Sequence, residues 1–330
     1  MKTKILILLV GIALAAPAAG FGAGSSTALF LRQQTTARTT AMGGAGAALY
    51  DDAGAVYLNP AGLGFMEQDN VSLTSWRGLD GQSRETFLSG VYHAGKPGVF
   101  SLNYLSNETG EEQVFDLSGA ESRVTLASEY ALGAGWGRKV WGPDVSVGVQ
   151  AKYVKSELVE AYSDKTLTFD AGVQARTRNG RFSFGAGVQN VGGGLKYLSE
   201  NEDLPGVLYA GAAARFKTGA GRLTAAADVQ KPRDRAQLDQ RLGLEYSLID
   251  IVALRVGVKR VDKENSLTLG GGFLFNWLSF DYSYEPAGDR LNQQTHKFTV
   301  SLLFGGAAEP AAAAAAAPPG AMPPASAISL

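Results

Sequence analysis

The 330-residue chain has no cysteine and only two histidines, His93 and His296. Without cysteine it can form no disulfide, no thiolate metal site and no lipoprotein anchor, which requires a cysteine at the cleavage point. With only two histidines, few hydrolytic or metal-binding sites are possible. His296 with Ser283 or Ser301 remains the one possible Ser–His pair. The sequence therefore predicts no catalytic residue, no metal site and no cofactor.

Long apolar runs are equally scarce in this chain. The longest, Ile5–Ala15, follows Lys2 and Lys4 and precedes the small residues Ala16–Ala18, which predicts that residues 1–18 form a secretory signal. No second run is long enough to predict a transmembrane helix. A formal net charge of −1 argues against a nucleic-acid partner. We therefore expect an exported protein that does not bind nucleic acid.

The dominant pattern is an alternation of apolar and polar residues that runs, with breaks at turns, from about residue 70 to residue 304. In Val145–Tyr153, for example, apolar residues occupy the odd positions and small, polar or charged residues the even ones. Alternation with period two is typical of β-strands, and about fourteen such strands of roughly ten residues are typical of a membrane-spanning β-barrel. A soluble β-sandwich also alternates, with its apolar face turned inward.

Three observations favour the barrel over the sandwich: the predicted export, the composition of the polar faces and the order of the loops. The polar faces carry charges interleaved with glycines, which weaken an exposed sheet but are tolerated in the crowded, curved interior of a barrel. The interleaved glycines include Gly148, Gly172, Gly185, Gly243, Gly257 and Gly270. The charges that we expect to face the lumen are Lys152, Asp170, Arg176, Arg215, Asp228, Arg241, Glu245, Arg255 and Asp281.

The predicted loops alternate in length. Mostly longer connections, such as Ser156–Lys165, Asn190–Pro205 and Val261–Asn265, alternate with mostly short ones, such as Gly137–Asp144. An even-stranded outer-membrane barrel with both termini in the periplasm has this order, with its long loops outside the cell. The longer loops are rich in glutamate and aspartate, so the outer rim should be acidic. We therefore predict an all-β fold, a fourteen-stranded antiparallel transmembrane barrel over residues 70–304 in the bacterial outer membrane.

Residues 19–69 differ from the barrel in being rich in small residues, and we predict that they form a compact plug, called the hatch below. Asp51 or Asp52 can cap a short helix that runs through Tyr57 and stops at Pro60. The motif residues of the hatch are Met42, Gly43, Gly44, Asp51, Asp52, Asn59, Pro60, Ala61 and Gly62.

The stretch from Ala37 to Leu63, which contains these residues, resembles the amino-terminal signature of the PorV/PorQ family. Barrels of that family are related to the FadL-like long-chain fatty-acid transporters, and strands between Leu254 and Phe298 are also similar. The resemblance implies a fourteen-stranded barrel in outer-membrane lipid with the hatch inside it. Asn59 and Pro60 would then hold the hatch in the wall, the alternative being an ordinary turn that stops a helix.

The resemblance implies two functions. One is passive transport of hydrophobic small molecules across the outer membrane, and the other is a PorV-like component of a protein secretion system that receives exported proteins at the cell surface. A carrier of hydrophobic molecules needs an apolar path inside the barrel, yet the lumen positions named above are polar or glycine. Aromatic residues such as Trp76, Tyr92 and Tyr104 gather in the early strands. The sequence therefore leaves the choice open.

Residues 305–330, after the last predicted strand, are dominated by alanine and proline. Such sequence cannot build a core, so we predict a disordered periplasmic tail. The tail leaves open a third possibility, a structural barrel that the tail tethers.

Overall fold

The computed structural model describes residues 26–77, 83–115, 121–197, 200–286 and 294–305. The predicted signal and, from residue 306 onward, the predicted tail lie outside the described residues.

Fourteen strands close into a single antiparallel barrel, which confirms the predicted fold class. Each barrel strand pairs with the barrel strands before and after it in the chain, and the first closes the wall against the last, from Asp69 opposite Phe304 to Trp76 opposite Lys297. The barrel strands are β1 (Asp69–Arg77), β2 (Arg84–His93), β3 (Val99–Glu108), β6 (Ala127–Lys139), β7 (Val145–Leu158), β8 (Tyr162–Arg176), β9 (Phe182–Val191), β12 (Val207–Thr218), β13 (Gly221–Pro232), β14 (Asp239–Leu248), β15 (Val252–Val261), β16 (Glu264–Phe275), β17 (Leu278–Glu285) and β18 (Thr295–Phe304).

Two small hairpins lie in the loops between barrel strands. The first, between β3 and β6, pairs β4 (Glu111–Phe115) with β5 (Glu121–Thr125). The second, between β9 and β12, pairs β10 (Gly194–Leu195) with β11 (Glu202–Asp203). Both belong to the same end of the barrel, called the long-loop end below. The opposite end, where β1 begins and β18 ends, is called the short-turn end.

Side chains alternate along each strand between the lumen and the outer surface. In β14, Arg241 and Glu245 point inward and are buried, whereas Leu242 and Leu244 point outward. On the outer surface of β3, Leu102 is 71% exposed. Because a closed wall has no unpaired strand edge, this apolar outer surface can lie in a bilayer without unsatisfied backbone groups.

Two connections at the long-loop end are shorter than the sequence predicts. Only residues 159–161 separate β7 from β8, where the pattern predicts a loop over Ser156–Lys165. Only Asp262 and Lys263, with φ angles of 50° and 71°, separate β15 from β16, where it predicts Val261–Asn265. Beyond the bilayer a strand can be polar on both faces. The alternation of apolar and polar residues therefore stops before the backbone hydrogen bonds between the strands do.

The described part of the hatch, from residue 26 onward, contains four short helical segments. They are 3-10 turns at Leu29–Arg32 and Pro60–Phe65 and α-helices at Ala37–Ala41 and Ala53–Leu58. Thr36 caps the first α-helix by accepting a hydrogen bond from the backbone amide of Thr39. Among the residues that the structure describes, no helix has the length and apolar character needed to cross a membrane.

The helix that the sequence predicts to be capped by Asp51 or Asp52 begins after Asp52, and it ends at Leu58, before Pro60. The Asp52 side chain makes no capping hydrogen bond. Its carboxylate instead accepts a hydrogen bond of 2.9 Å from the Thr36 hydroxyl. Asp52 therefore joins the two α-helices of the hatch rather than stabilising the first turn of one of them.

The hatch runs through the lumen from one end to the other. At the long-loop end, the Thr27 amide donates to the Asp203 carbonyl, and the Arg32 guanidinium lies 2.7 Å from the Asp234 carboxylate. At the short-turn end the hatch leads directly into β1 at Asp69. The described residues from Thr27 to Arg32 thus lie at the opposite end of the barrel from Asp69 and Phe304. The position of both termini in the periplasm stays a prediction.

Candidate functional site

The inner wall makes room for the hatch with glycine. A Cβ atom added at Gly148 would overlap the Pro60 carbonyl, and one added at Gly185 would overlap the Ala47 carbonyl. The same holds for Gly172 against the Asn59 side chain, for Gly243 against Met42, for Gly257 against Gly43 and for Gly270 against Ala41. The glycines that alternate with charges on the polar faces therefore form the surface against which the hatch backbone packs.

Asn59 forms hydrogen bonds with three parts of the molecule at the place where the hatch packs against Gly172 and Gly185. Its Oδ1 accepts a hydrogen bond of 3.1 Å from the Ala61 amide. Its Nδ2 donates to the Ala47 carbonyl at 2.7 Å and to the Val173 carbonyl of β8 at 3.4 Å. Asn59 thereby joins the hatch backbone at Ala47 and Ala61 to the wall at Val173, and the anchoring role of Asn59 and Pro60 stays a prediction.

The turn at Met42–Gly44 supplies the other half of the motif. Gly43 and Gly44 have φ angles of 66° and 81°, which favour glycine. The Gly43 amide donates to the Thr268 hydroxyl of β16 at 3.1 Å, and the Met42 side chain is fully buried. The backbone can reach the wall here because neither glycine carries a side chain.

Arg38 connects the hatch to the charged side of the lumen. Its guanidinium donates two hydrogen bonds of 2.8 Å to Glu245 and lies 3.0 Å from Asp51. Glu245 also accepts from Arg255, which in turn donates to Asp281 at 2.6 Å. Burial acts to raise the pKa of Asp51, but the charges of Arg38 and Arg215 outweigh it, so that this pKa lies well below its usual range. Asp51 therefore stays ionised within the network.

The structure places the other predicted lumen charges on the inner face of the wall as well. Asp228 accepts from the amides of Gly46 and Ala47, and Arg241 donates to the Gly44 carbonyl. The guanidinium groups of Arg176 and Arg215 lie 5.7 Å and 4.4 Å from the centre of the Tyr50 ring. Lys152 and Asp170 form a buried ion pair of 2.7 Å. Most of these charges thus contact the hatch instead of lining an open pore.

The structure also contains an apolar strip inside the lumen that the sequence reasoning missed. Phe87 of β2, Leu105 of β3, Ala131 of β6 and Val154 of β7 stand directly opposite one another in the register of the wall. All four point inward and are at most 2% exposed. We call these four residues the apolar row.

Side chains of the hatch cover the apolar row. Phe30, Leu31 and Tyr57 belong to the same buried cluster as the row. The Tyr57 ring meets Phe87 edge-on, with 5.4 Å between ring centres. Trp76 of β1 extends the cluster on the other side of β2. An apolar patch that the sequence did not reveal is therefore present on the inner wall, and the hatch covers it.

A weak signal for the apolar row exists in the sequence. Each of Phe87, Leu105 and Val154 stands next to a second large apolar or aromatic residue, in the pairs Phe87–Leu88, Tyr104–Leu105 and Tyr153–Val154. In a strand such pairs put large apolar groups on both faces at once. Of the early aromatic residues, Trp76 faces the lumen, whereas Tyr92 and Tyr104 face outward.

The Ser–His pair that the sequence left open is not formed. His296 lies on the outer face of β18, where its Nδ1 is 2.7 Å from the Tyr282 hydroxyl. Ser283 and Ser301 are buried on the inner face of the wall. The backbone sheet separates each serine from the imidazole, so that neither serine can pass it a proton.

Two cavities, each lined by both polar and apolar groups, flank the hatch. One of about 350 Å³ opens at the short-turn end and is lined by Arg38, Asp51 and Asn70, among others. The other, of about 430 Å³, opens at the long-loop end and is lined by Thr40 and Trp76, among others. Because Arg38 faces one cavity and Thr40 the other, the helix Ala37–Ala41 separates them.

The packing of the hatch against the inward glycines can be tested with a matched pair of substitutions. We expect Gly148→Val to displace the hatch, because the new side chain would occupy the space of the Pro60 carbonyl. Gly90→Val on β2 should leave the hatch in place, since nothing lies within 4 Å of the added Cβ. Planar-bilayer conductance is the measurement, and a heat-dependent shift on a detergent gel verifies that both variants assemble. Equal conductance of the two assembled variants would mean that the hatch does not depend on this contact.

Comparisons with solved structures identify the fold. The toluene transporter TbuX of Ralstonia pickettii superposes with a TM-score of 0.58 at 15% sequence identity, over 82% of this chain and 98% of that one. A FadL homologue of Pseudomonas aeruginosa gives 0.57 at 12% identity, over 82% and 98% of the two chains. The monoaromatic hydrocarbon channel CymD gives 0.53 at 14% identity, over 84% and 98%. The chain therefore has the fold of FadL-like outer-membrane barrels.

No family model and no curated protein matches the sequence. The resemblance to the PorV/PorQ family accordingly stays a prediction. The structural neighbours named above are described as a transporter, a FadL homologue and a channel, and they do not favour the secretion alternative.

Proposed function

We propose that this protein passively transports small hydrophobic molecules across the bacterial outer membrane. The long-loop end would face the outside of the cell, and the ends of β1 and β18 would face the periplasm. The observation that carries the proposal is the apolar row, because a hydrophobic molecule needs an apolar surface inside an otherwise polar lumen. The fold supports it, since proteins of the same fold are described as a toluene transporter and a monoaromatic hydrocarbon channel.

The hatch would act as the gate of this channel. Phe30 and Leu31 lie at the amino-terminal end of the hatch, close to the long-loop end, and they contribute to the cluster around the apolar row. A hydrophobic molecule that displaced them would exchange one set of apolar contacts for another, so its binding would not leave the row exposed to water. The hatch therefore stands where a ligand would bind.

The proposal is tested by uptake of radiolabelled toluene in a Gram-negative host that lacks its own hydrophobe channels. We expect cells with the protein to take up toluene faster than cells without it. Leu105→Asn should reduce this gain about tenfold, because burying an amide without a partner costs about 1–3 kcal/mol. Leu105→Met keeps the row apolar and serves as the matched control. No gain from the parent protein, or equal uptake by both variants, would refute transport along the apolar row.

A further inference from the structure

The outer surface of the wall carries two lysines side by side. Lys155 of β7 stands directly opposite Lys165 of β8 in the register. Lys155 points outward, because its chain neighbours Val154 and Ser156 are buried on the inner face. Lys165 is exposed on the same outer face. Like charges directly opposite each other on neighbouring strands destabilise a sheet, so this arrangement favours an anion that lies between the two ammonium groups.

Three tyrosines place this lysine pair at the edge of the apolar outer surface. Tyr104 of β3, Tyr130 of β6 and Tyr153 of β7 follow one another around the wall, with 6.2 Å and 6.3 Å between successive ring centres. Tyr130 stands directly opposite Lys155. In membrane barrels, aromatic residues such as tyrosine gather at the level of the lipid headgroups. We therefore expect the two ammonium groups to lie at headgroup level.

The surface on the bilayer side of the lysine pair is apolar. Leu132 of β6 and Leu167 of β8 stand on either side of Tyr153 in the register. Phe169 follows Leu167 on the outer face of β8, and all three apolar side chains are exposed. A lipid whose headgroup contacted the lysines could therefore lay its acyl chains along these side chains. A soluble anion would gain nothing from this surface.

The carboxylates next to the lysine pair neutralise only one of its two charges. Glu157, two residues beyond Lys155 on the same face, lies 3.2 Å from the Lys155 Nζ. The Asp164 carboxylate accepts a hydrogen bond of 2.6 Å from the Lys196 backbone amide. Lys165 forms no ion pair within 4 Å with any residue that the structure describes. One positive charge thus remains uncompensated at this place on the outer surface.

The other acidic residues on these strands lie farther from the bilayer. Glu108 belongs to the next row toward the rim, where it stands opposite Arg84 of β2. Glu160 lies in the turn between β7 and β8 and accepts a hydrogen bond of 3.1 Å from the Thr125 amide. An anion at headgroup level would therefore meet the lysine pair before it met these carboxylates.

We propose that Lys155 and Lys165 bind the phosphorylated headgroup of a lipid in the outer leaflet of the membrane. The phosphate would lie between the two ammonium groups, and the acyl chains would cover Leu132, Leu167 and Phe169. The occupant is a lipid instead of a free phosphate ion because the charged pair continues directly into this apolar surface. The inference goes beyond the proposed function, since the surface lies outside the wall and no transported molecule needs to touch it. It shares with that proposal the orientation that places the long-loop end outside the cell.

The test measures binding of diphosphoryl lipid A to the full chain in detergent by native mass spectrometry. We expect the double variant Lys155→Gln, Lys165→Gln to bind this lipid about tenfold more weakly than the parent, because each lysine attracts the anionic headgroup. Glu157→Gln should have the opposite effect and tighten binding about threefold, because it removes the carboxylate that neutralises Lys155. Heat-dependent migration on a detergent gel verifies assembly of each variant.

The matched control removes two positive charges elsewhere at the long-loop end. Arg260 on the outer face of β15 stands between the neutral residues Gln240 and Asn265, and Lys263 lies in the turn that follows. The double variant Arg260→Gln, Lys263→Gln has the same net charge as the lysine variant but keeps the lysine pair. Its affinity for the lipid should stay within about twofold of the parent.

Two further measurements identify the source of the phosphate. Lipid A from which both phosphates have been removed should bind the parent about tenfold more weakly. Inorganic phosphate at the concentration of the lipid should not displace it. These measurements and Glu157→Gln keep the test decisive if the lysine variant fails to assemble.

Weaker binding in the assembled lysine variant, with binding kept in the control, supports the inference. Equal loss in both double variants, unchanged binding in the lysine variant or absence of binding in the parent overturns it. Equally tight binding of the dephosphorylated lipid also overturns it, because acyl chains alone would then explain the contact. Displacement by inorganic phosphate would make the free ion the occupant. None of these results changes the expected uptake of toluene, so the proposed function is tested separately.

Discussion

Removal of residues 26–58 should convert a nearly closed barrel into one that conducts ions freely. The barrel strands pair only with one another, so the wall does not need the hatch for its backbone hydrogen bonds. A barrel of about eight strands can be filled by its own side chains, whereas one of fourteen encloses a wider lumen. Here the helix Ala37–Ala41 separates the two end cavities. We therefore expect single-channel conductance in planar bilayers to rise by at least about tenfold.

The matched control is a deletion outside the lumen. Removing Glu111–Thr125 takes away the hairpin of β4 and β5 but none of the hatch, and it should leave the conductance low. Heat-dependent migration on a detergent gel establishes that each protein has assembled. An assembled hatch deletion that conducts no more than the parent would show that these residues do not close the lumen, and the transport proposal would then lose its gate.

The sequence predicts the wall well because a transmembrane strand obeys one strong rule. Lipid outside and polar groups inside impose a period of two, which is visible wherever the bilayer is present, as in Val145–Tyr153. The same rule fails beyond the bilayer, because at the turns near residues 159–161 and 262–263 neither face of the strand needs to be apolar. The predicted loops there are consequently too long.

The interior is predicted less well, because its pattern depends on which parts of the hatch meet which strands. The inward glycines were visible in the sequence, but their partners were not: Gly148 meets Pro60, 88 residues away, and Gly185 meets Ala47, 138 residues away. The apolar row is hidden for the same reason. Phe87 and Leu105 look like irregularities in two separate strands until the register places them side by side.

Exchange of both Phe30 and Leu31 for serine should open the apolar row to ligands. Burial of a Phe or Leu side chain contributes about 1.5–3 kcal/mol, so the double substitution should ease displacement of this segment by about 3–6 kcal/mol. If the row is accessible only after displacement, the apparent affinity for a hydrophobic ligand scales with the displaced fraction. We therefore expect toluene to bind the double variant about a hundredfold more tightly than the parent, as measured by equilibrium dialysis in detergent.

Leu29 provides the matched control within the same 3-10 turn. It is 52% exposed, whereas its neighbours Phe30 and Leu31 are 3% and 1% exposed. Leu29→Ser therefore changes the polarity of the segment without removing buried contacts, and it should leave toluene binding as in the parent. If the double variant binds toluene no better than Leu29→Ser, displacement of Phe30 and Leu31 does not limit access to the row. In that case ligands must reach the row along another path, with the amino-terminal segment in place.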